Sequence, residues 1–152
     1  MRLALYQPDI PQNTGAIMRM AACLGIELDV IEPCGFIFSD VKLKRVGLDY
    51  LDKTRVTRHQ SWKNFLEHHT DKRLVLSTTK TSQLITNFEF KADDVLIMGT
   101  ESSGVPNEIH CTVGASVRVP MCEGTRSLNV AICASMIVWE ASRQTGFDER
   151  LR

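Results

Sequence analysis

Along this chain the spacing of apolar positions alternates between two periods, and the alternation predicts the elements. Leu3-Ala4-Leu5-Tyr6 is a continuous apolar run stopped by Gln7-Pro8, which reads as a short buried strand. Beyond it Ile17, Met20, Ala21 and Leu24 recur at three and four residues, the spacing of one helix face. Asn13 is placed to cap that helix and Gly25 to end it in the left-handed conformation. Residues 26–31 then read as a second strand, so a strand, a helix and a strand follow one another closely enough to form a βαβ unit with parallel strands.

The pattern continues with Ser39 placed to cap a short helix through Val46, and Ser61 another through His68 with Trp62, Phe65 and Leu66 on one side. Residues 73–77, 95–98 and 117–119 predict three further strands. From Ser127 the positions Leu128, Ala131, Ile132, Ser135, Val138 and Trp139 predict a long helix to Thr145, with Gly146 just past its end. No repeat or low-complexity stretch interrupts this order. Residues 1–152 therefore read as a single α/β domain with a parallel sheet flanked by helices.

Composition narrows the picture. With 43% hydrophobic residues in 152, the chain is expected to bury a true core. Lys plus Arg and Asp plus Glu are balanced at 18 each, which argues against a globally basic nucleic-acid coat and leaves a local basic face possible. That face is the stretch with Lys42, Lys44, Arg45, Lys53, Arg55 and Arg58 against Asp49 and Asp52. It reads either as a solvated surface or as a set of phosphate contacts. The five cysteines, Cys23, Cys34, Cys111, Cys122 and Cys133, are odd in number and hold no C-x-x-C pair, as expected of reduced thiols in a cytoplasmic protein. The N-terminal apolar run is too short for a signal peptide, and the run 130–139, broken by Ser135, is too short to cross a bilayer. His59, His68 and His69 have no carboxylate or Cys at zinc-ligand spacing, so no metal is expected.

Candidate chemistry lies in three loops that follow strands, where open α/β sheets bind ligands. The first, Pro8-Asp9-Ile10-Pro11-Gln12-Asn13-Thr14-Gly15, is either a rigid connection or, with Arg19 four residues on, an anion site at a helix start. The second, Gly99-Thr100-Glu101-Ser102-Ser103-Gly104-Val105-Pro106, has the glycines of a phosphate loop but not its Lys and Ser/Thr. Pro106 is placed at the first position of a following helix. No G-x-G-x-x-G is present, so the usual dinucleotide fingerprint is excluded. The third runs from Val119-Pro120-Met121 to Ser127-Leu128-Asn129-Val130 and brings Ser127 and Asn129 to the edge of an apolar helix. Ser127 reads as its N-cap, with Asn129 on a loop carbonyl or on a ligand. No elbow motif surrounds Ser127 and no nucleophile motif surrounds a Cys, so covalent catalysis has no support.

Taken together and in order, these loops resemble motifs one, two and three of the SPOUT RNA methyltransferases. Ile31-Glu32-Pro33-Cys34-Gly35-Phe36, Arg45-Val46-Gly47-Leu48-Asp49-Tyr50 and Thr78-Thr79-Lys80 further resemble the tRNA (cytidine/uridine-34-2′-O)-methyltransferases of the TrmL type, over nearly the whole chain. The resemblance implies a C-terminal trefoil knot, a homodimer, S-adenosylmethionine as cofactor and methylation of the ribose 2′-hydroxyl of the wobble nucleotide in the tRNA anticodon stem-loop. It implies a cofactor pocket with Ser77, Met98, Gly99, Val119, Met121, Ser127, Leu128 and Asn129, and Arg19 at the catalytic centre. Thr100 departs from the pattern, because many relatives carry Arg there. Lys42, Lys44 and Arg45 are the expected RNA contacts. A non-catalytic RNA-binding relative, or an enzyme for another tRNA or rRNA position, is the alternative within the class.

Overall fold

The structure is a computed structural model that describes residues 1–38, 55–147, 149 and 151. Its elements are β1 (Arg2–Tyr6), α1 (Pro11–Leu24), β2 (Glu27–Ile31), β3 (Val56–His59), α2 (Trp62–His68), β4 (Leu74–Ser77), a 3-10 turn (Ile85–Asn87), β5 (Val95–Met98), α3 (Asn107–Thr112), β6 (Ala115–Val117) and α4 (Val130–Thr145). The strands form one sheet in the order β3-β2-β1-β5-β4-β6, with every pairing parallel. Sheets of this kind are covered on both faces, which is why their strands read as unbroken apolar runs.

Side-chain alternation sorts the core into two layers. Leu3, Leu5, Leu28, Val30, Leu96 and Met98 face Ile17 and Met18 of α1 and Ala134, Ile137, Val138 and Ala141 of α4. Ala4, Tyr6, Leu76 and Ile97 face Phe65 of α2 and Ile109 of α3 on the opposite side. Two buried carboxylates tie strand starts together. Asp94 is held by the Arg73 fork at 2.7 Å to each oxygen, and Asp29 by Arg2 at 2.8 and 3.1 Å.

Several expected boundaries move, each for a physical reason. Asn13 does not cap α1: Pro11 occupies the first helical position, where its missing N–H costs nothing, and Ile10 precedes it without a side-chain cap. The long C-terminal helix starts at Val130, not Ser127, because Asn129 Oδ1 accepts from the N–H groups of Ala131 at 2.9 Å and Ile132 at 3.3 Å. Asn129, and not Ser127, is therefore its N-cap. Strand β6 ends at Val117, two residues early, since Arg118 leaves the β4 ladder to bond with Gln83 and Ile85. Pro106 stands just before α3, one place ahead of the expected position. Gly25 ends α1 at φ 67°, and Ser61 caps α2 by accepting from Asn64 N, both as expected. The expected helix from Ser39 to Val46 lies outside the described residues.

Candidate active site

Three loops meet where β1, β5 and β6 end, joined by the segment after β4, and enclose a cavity of about 530 Å³. That volume is in the ordinary range for small-ligand pockets. The second loop closes on itself: Thr100 and Gly104 exchange backbone hydrogen bonds of 3.1 and 2.8 Å, and Gly104 turns the chain at φ 70°. Gly99 lies so close to it that a Cβ there would stand 3.0 Å from the Gly104 carbonyl carbon. Any larger residue would crowd this crossing, and glycine leaves the backbone of the loop open to a ligand. Thr100 turns its hydroxyl to the Tyr6 carbonyl at 3.1 Å, fastening the second loop to the end of β1.

Ser77, Met98, Gly99, Val119, Met121, Ser127, Leu128 and Asn129, the residues that the resemblance implies for the cofactor, all line the cavity. Arg19 does not: it is exposed on α1 and outside the lining of the cavity. Lys42, Lys44 and Arg45 lie outside the described residues. The structure adds Asn13, Glu101, Lys80, His110, Arg118, Arg126 and Cys133 to the wall. In sequence Asn13 reads as a helix cap, and an Asn three residues into a Pro-started helix is the signal that its amide is free for other work.

A directional chain of amides joins the three loops. The N–H groups of α4 can only donate, so Asn129 must present its oxygen to them and its Nδ2 outward. That Nδ2 donates to Asn13 Oδ1 at 2.9 Å, and Asn13 Nδ2 donates in turn to Glu101 Oε1 at 3.3 Å. Glu101 Oε2 accepts from the Asp9 backbone N–H at 3.0 Å, and Ser102 Oγ donates to the Asp9 carboxylate. Burial, and then the neighbouring Asp9, push the Glu101 carboxyl up, while the hydrogen bond from Glu101 and that from Ser102 hold Asp9 down. Asp9 Oδ1 is buried with no partner among the described residues when both acids are ionised.

The two thiols near the site are not activated. Cys133 Sγ is 3.3 Å from Ser77 Oγ, and burial pushes its thiol up, so it is not a thiolate nucleophile. Cys34 is pushed up to about 11, by burial first and then by Glu32. On the far side of the sheet Asp29, His59 and His69 bring ligand atoms within 4.8 Å of one another, a cluster that sequence spacing did not reveal. The guanidinium of Arg2 already occupies both Asp29 oxygens, so this is a hydrogen-bonded charge cluster.

The residues present suit S-adenosylmethionine. Met98, Val119 and Leu128 supply apolar walls, Gly99 an unobstructed backbone, and Ser77 and Ser127 hydroxyls. A doubly covered parallel sheet with such a crevice at its strand ends defines a nucleotide- or cofactor-binding α/β protein. The chain belongs to the SpoU rRNA Methylase family, whose sequence profile matches residues 1–139. It is 51% identical over 146 residues to the tRNA (cytidine(34)-2′-O)-methyltransferase of Beijerinckia indica, covering 95% of this chain and 91% of that one. It is 40% identical to the enzyme of the same name from Escherichia coli K12, covering 97% and 95%. A solved structure described as structural insights into the 2-OH methylation of C/U34 on tRNA superposes with a TM-score of 0.89 at 38% identity, covering 94% of each chain. The SpoU methyltransferase AviRb from Streptomyces viridochromogenes, in complex with AdoMet, superposes at 0.84 with 26% identity, covering 95% of this chain and 60% of that one.

Proposed function

We propose that this chain transfers the methyl group of S-adenosylmethionine to the ribose 2′-hydroxyl of nucleotide 34, C or U, in the anticodon loop of tRNA. The observation that carries the reading is the convergence of Ser77, Gly99, Val119, Ser127 and Asn129 on one cavity in a chain whose relatives at 40–51% identity bear that activity. The cofactor supplies a methyl already activated on a sulfonium. The protein's task is to position the 2′-oxygen in line, exclude water and assist loss of its proton. The amide chain from Glu101 through Asn13 to Asn129 fixes the polarity of the wall that the ribose would meet. Burial keeps the Cys133 thiol of that wall protonated, in keeping with direct transfer.

Arg19 is the proposed catalytic group, stabilising the developing oxyanion directly or by orienting an RNA phosphate through its planar fork. It is exposed on α1, and α1 packs on α4, whose outer face carries exposed Ile132, Met136 and Trp139. Arg19→Ala is expected to lower turnover by about 10²–10³-fold while leaving S-adenosylmethionine affinity within a few-fold. Methyl transfer from labelled cofactor to total tRNA, with the label mapped by nuclease digestion, measures both position and rate. Label on rRNA or on another ribose would discard the proposed position, and equal losses of turnover and cofactor binding would discard the role of Arg19.

The RNA surface includes Lys42, Lys44 and Arg45 in this reading. Neutralising the three should weaken tRNA binding and flatten its salt dependence, and an unchanged salt slope would exclude them. A cytoplasmic location is part of the same proposal, supported by the tRNA-modifying relatives and by five cysteines none of which is paired; a fractionation that found it secreted would overturn this. Among the described residues no helix is long and apolar enough to cross a membrane. A single domain with a trefoil knot belongs to the same proposal. The support is that Arg118 is bonded to Gln83 and Ile85 while Asn129 is bonded to Asn13, so the last loop is bracketed by earlier chain at both ends. An experimental trace of the chain from Arg118 to Thr145 decides the knot.

A further inference from the structure

The charge of the cavity does not match the charge of the cofactor. Lys80, Arg118 and Arg126 line it against one acidic lining residue, Glu101, with Asp9 behind. All three cations are exposed, and none makes an ion pair among the described residues. Lys80 Nζ has only a 3.4 Å contact to Asn107 Oδ1. S-adenosylmethionine brings a sulfonium and an ammonium against one carboxylate, so it adds a further positive charge to a wall that already carries an excess. Charges of one sign gathered in a cleft repel unless an anion enters with them. The cofactor's single carboxylate cannot balance both its own charges and these three. The partner that can is a polyanion arriving at the same mouth.

The main chain that carries these cations is fixed before any ligand arrives. Arg118 N–H donates to the Gln83 carbonyl at 2.9 Å and its carbonyl accepts from Ile85 N at 3.0 Å. Lys80 N–H donates to Thr78 Oγ1 at 3.2 Å, and Arg126 follows a turn in which Thr125 bonds back to the Cys122 carbonyl. Two guanidiniums and an ammonium on fixed supports suit successive phosphates, with Arg able to engage each in a bidentate fork.

We propose that Lys80, Arg118 and Arg126 form a phosphate clamp for the RNA backbone next to the acceptor ribose, and that RNA held there favours S-adenosylmethionine over its neutral product. This rests on the reading that the substrate is RNA and deepens it. The clamp lies in the same cavity as the cofactor walls, so RNA binding and cofactor charge are linked, and each strengthens the other by the same factor. Without RNA the protein should bind S-adenosylhomocysteine, which lacks the sulfonium charge, more tightly than S-adenosylmethionine. With RNA the gap should close.

The test is a fluorescence-anisotropy titration with an anticodon stem-loop RNA at several potassium chloride concentrations, on the full chain and on Lys80→Met, Arg118→Gln and Arg126→Gln. Calorimetry with S-adenosylhomocysteine and with S-adenosylmethionine, with and without the RNA, runs alongside. Each substitution is expected to weaken RNA binding several-fold and to reduce the salt slope by about 0.7–0.9. The melting temperature should hold, because the residues are exposed and outside the core, and S-adenosylhomocysteine affinity should change far less than RNA affinity, because that ligand carries no net charge. Unchanged slopes in all three variants would overturn the clamp. Loss of S-adenosylhomocysteine affinity with an unchanged slope would also overturn it, and would assign the cations to the cofactor carboxylate. A cofactor-to-product preference indifferent to RNA would overturn the charge linkage. If the wild type methylates a nucleotide other than 34 while the substitutions still flatten the slope, the proposed position fails and the clamp stands.

Discussion

Asp29 is 0% exposed, and it accepts from Arg2 Nε and Nη2 and from His59 Nε2 at 2.7 Å, while His69 Nε2 stands 3.3 Å away without hydrogen-bond geometry. Burial alone would raise its pKa, but the hydrogen bonds from Arg2 and His59 and the charge of Arg2 outweigh it, and the carboxyl is held below its ordinary value. His69 is shifted downward, chiefly by burial. Both shifts have one consequence for stability. A depressed Asp29 contributes stability above its unfolded pKa of about 3.9 and loses it as pH falls toward the folded value. A depressed His69 binds fewer protons folded than unfolded, so its share is full above about 6.5 and declines as pH falls below that. The expectation is a melting temperature that declines from about pH 6.5 downward, checked by calorimetry at stepped pH. Asp29→Ala should cost about 3 kcal/mol, the lower end for a broken buried pair, since the Arg2 side chain is 22% exposed. A loss below about 1 kcal/mol would show that Arg2 and the histidines re-solvate freely. The sequence placed Asp29 in a strand and saw the histidines as unsupported by any carboxylate, because pairing across parallel strands joins residues 30 and 40 positions apart that no local spacing connects.

At the scale of the element, α4 has two apolar faces. Ala134, Ile137, Val138 and Ala141 are buried against the sheet, while Ile132, Met136 and Trp139, spaced by four and three residues, are 55%, 43% and 56% exposed. Trp139 packs on Phe147 with ring centroids 4.8 Å apart, extending the outer stripe. The sequence pattern read Ile132 and Trp139 as part of the same stripe as Val138, because a helix apolar nearly all round has no single phase. The same ambiguity hid its start. Ser127 and Asn129 are both good caps, and only the geometry of the loop decides that Asn129 faces the free N–H groups. This exposed stripe is the proposed interface, with a second copy of this chain as its occupant. Trp139→Glu would place a charge in that contact, and sedimentation velocity should then show a species near 17.1 kDa where the unaltered chain runs at about twice that mass. A variant that sediments with the wild type would exclude the face from the dimer. Loss of methyl transfer together with dissociation would support catalysis at the interface, since Trp139 itself is outside the cavity lining.

For the whole molecule, the site is a product of topology. Its walls come from the ends of β1, β4, β5 and β6, so Asn13 meets Glu101 across 88 positions and Asn129 across 116. The strand-helix-strand order and the three motifs were visible along the chain, and with them the cavity residues from Ser77 to Asn129. The charged wall was not, because Lys80, Arg118 and Arg126 stand alone in sequence and become a group only when β4 and β6 lie side by side. A ligand in such a cavity ties together segments that unfold as one, so its binding should appear in global stability. S-adenosylhomocysteine at 100 times its dissociation constant contributes about 2.7 kcal/mol, which for a domain of this size raises the melting temperature by roughly 5–10 °C. Gly99→Val should abolish that shift. Its Cβ would stand 3.0 Å from the Gly104 carbonyl carbon and 3.1 Å from Val105 Cγ1, and the loop can relieve this only by moving the wall of the cavity. Thermal unfolding of both proteins with and without the ligand separates the two effects of the change: a lower melting temperature alone reports the crowding, and only loss of the ligand-dependent increment places Gly99 at the cofactor. A variant that folds and keeps the full increment would mean that the cofactor binds away from the second loop.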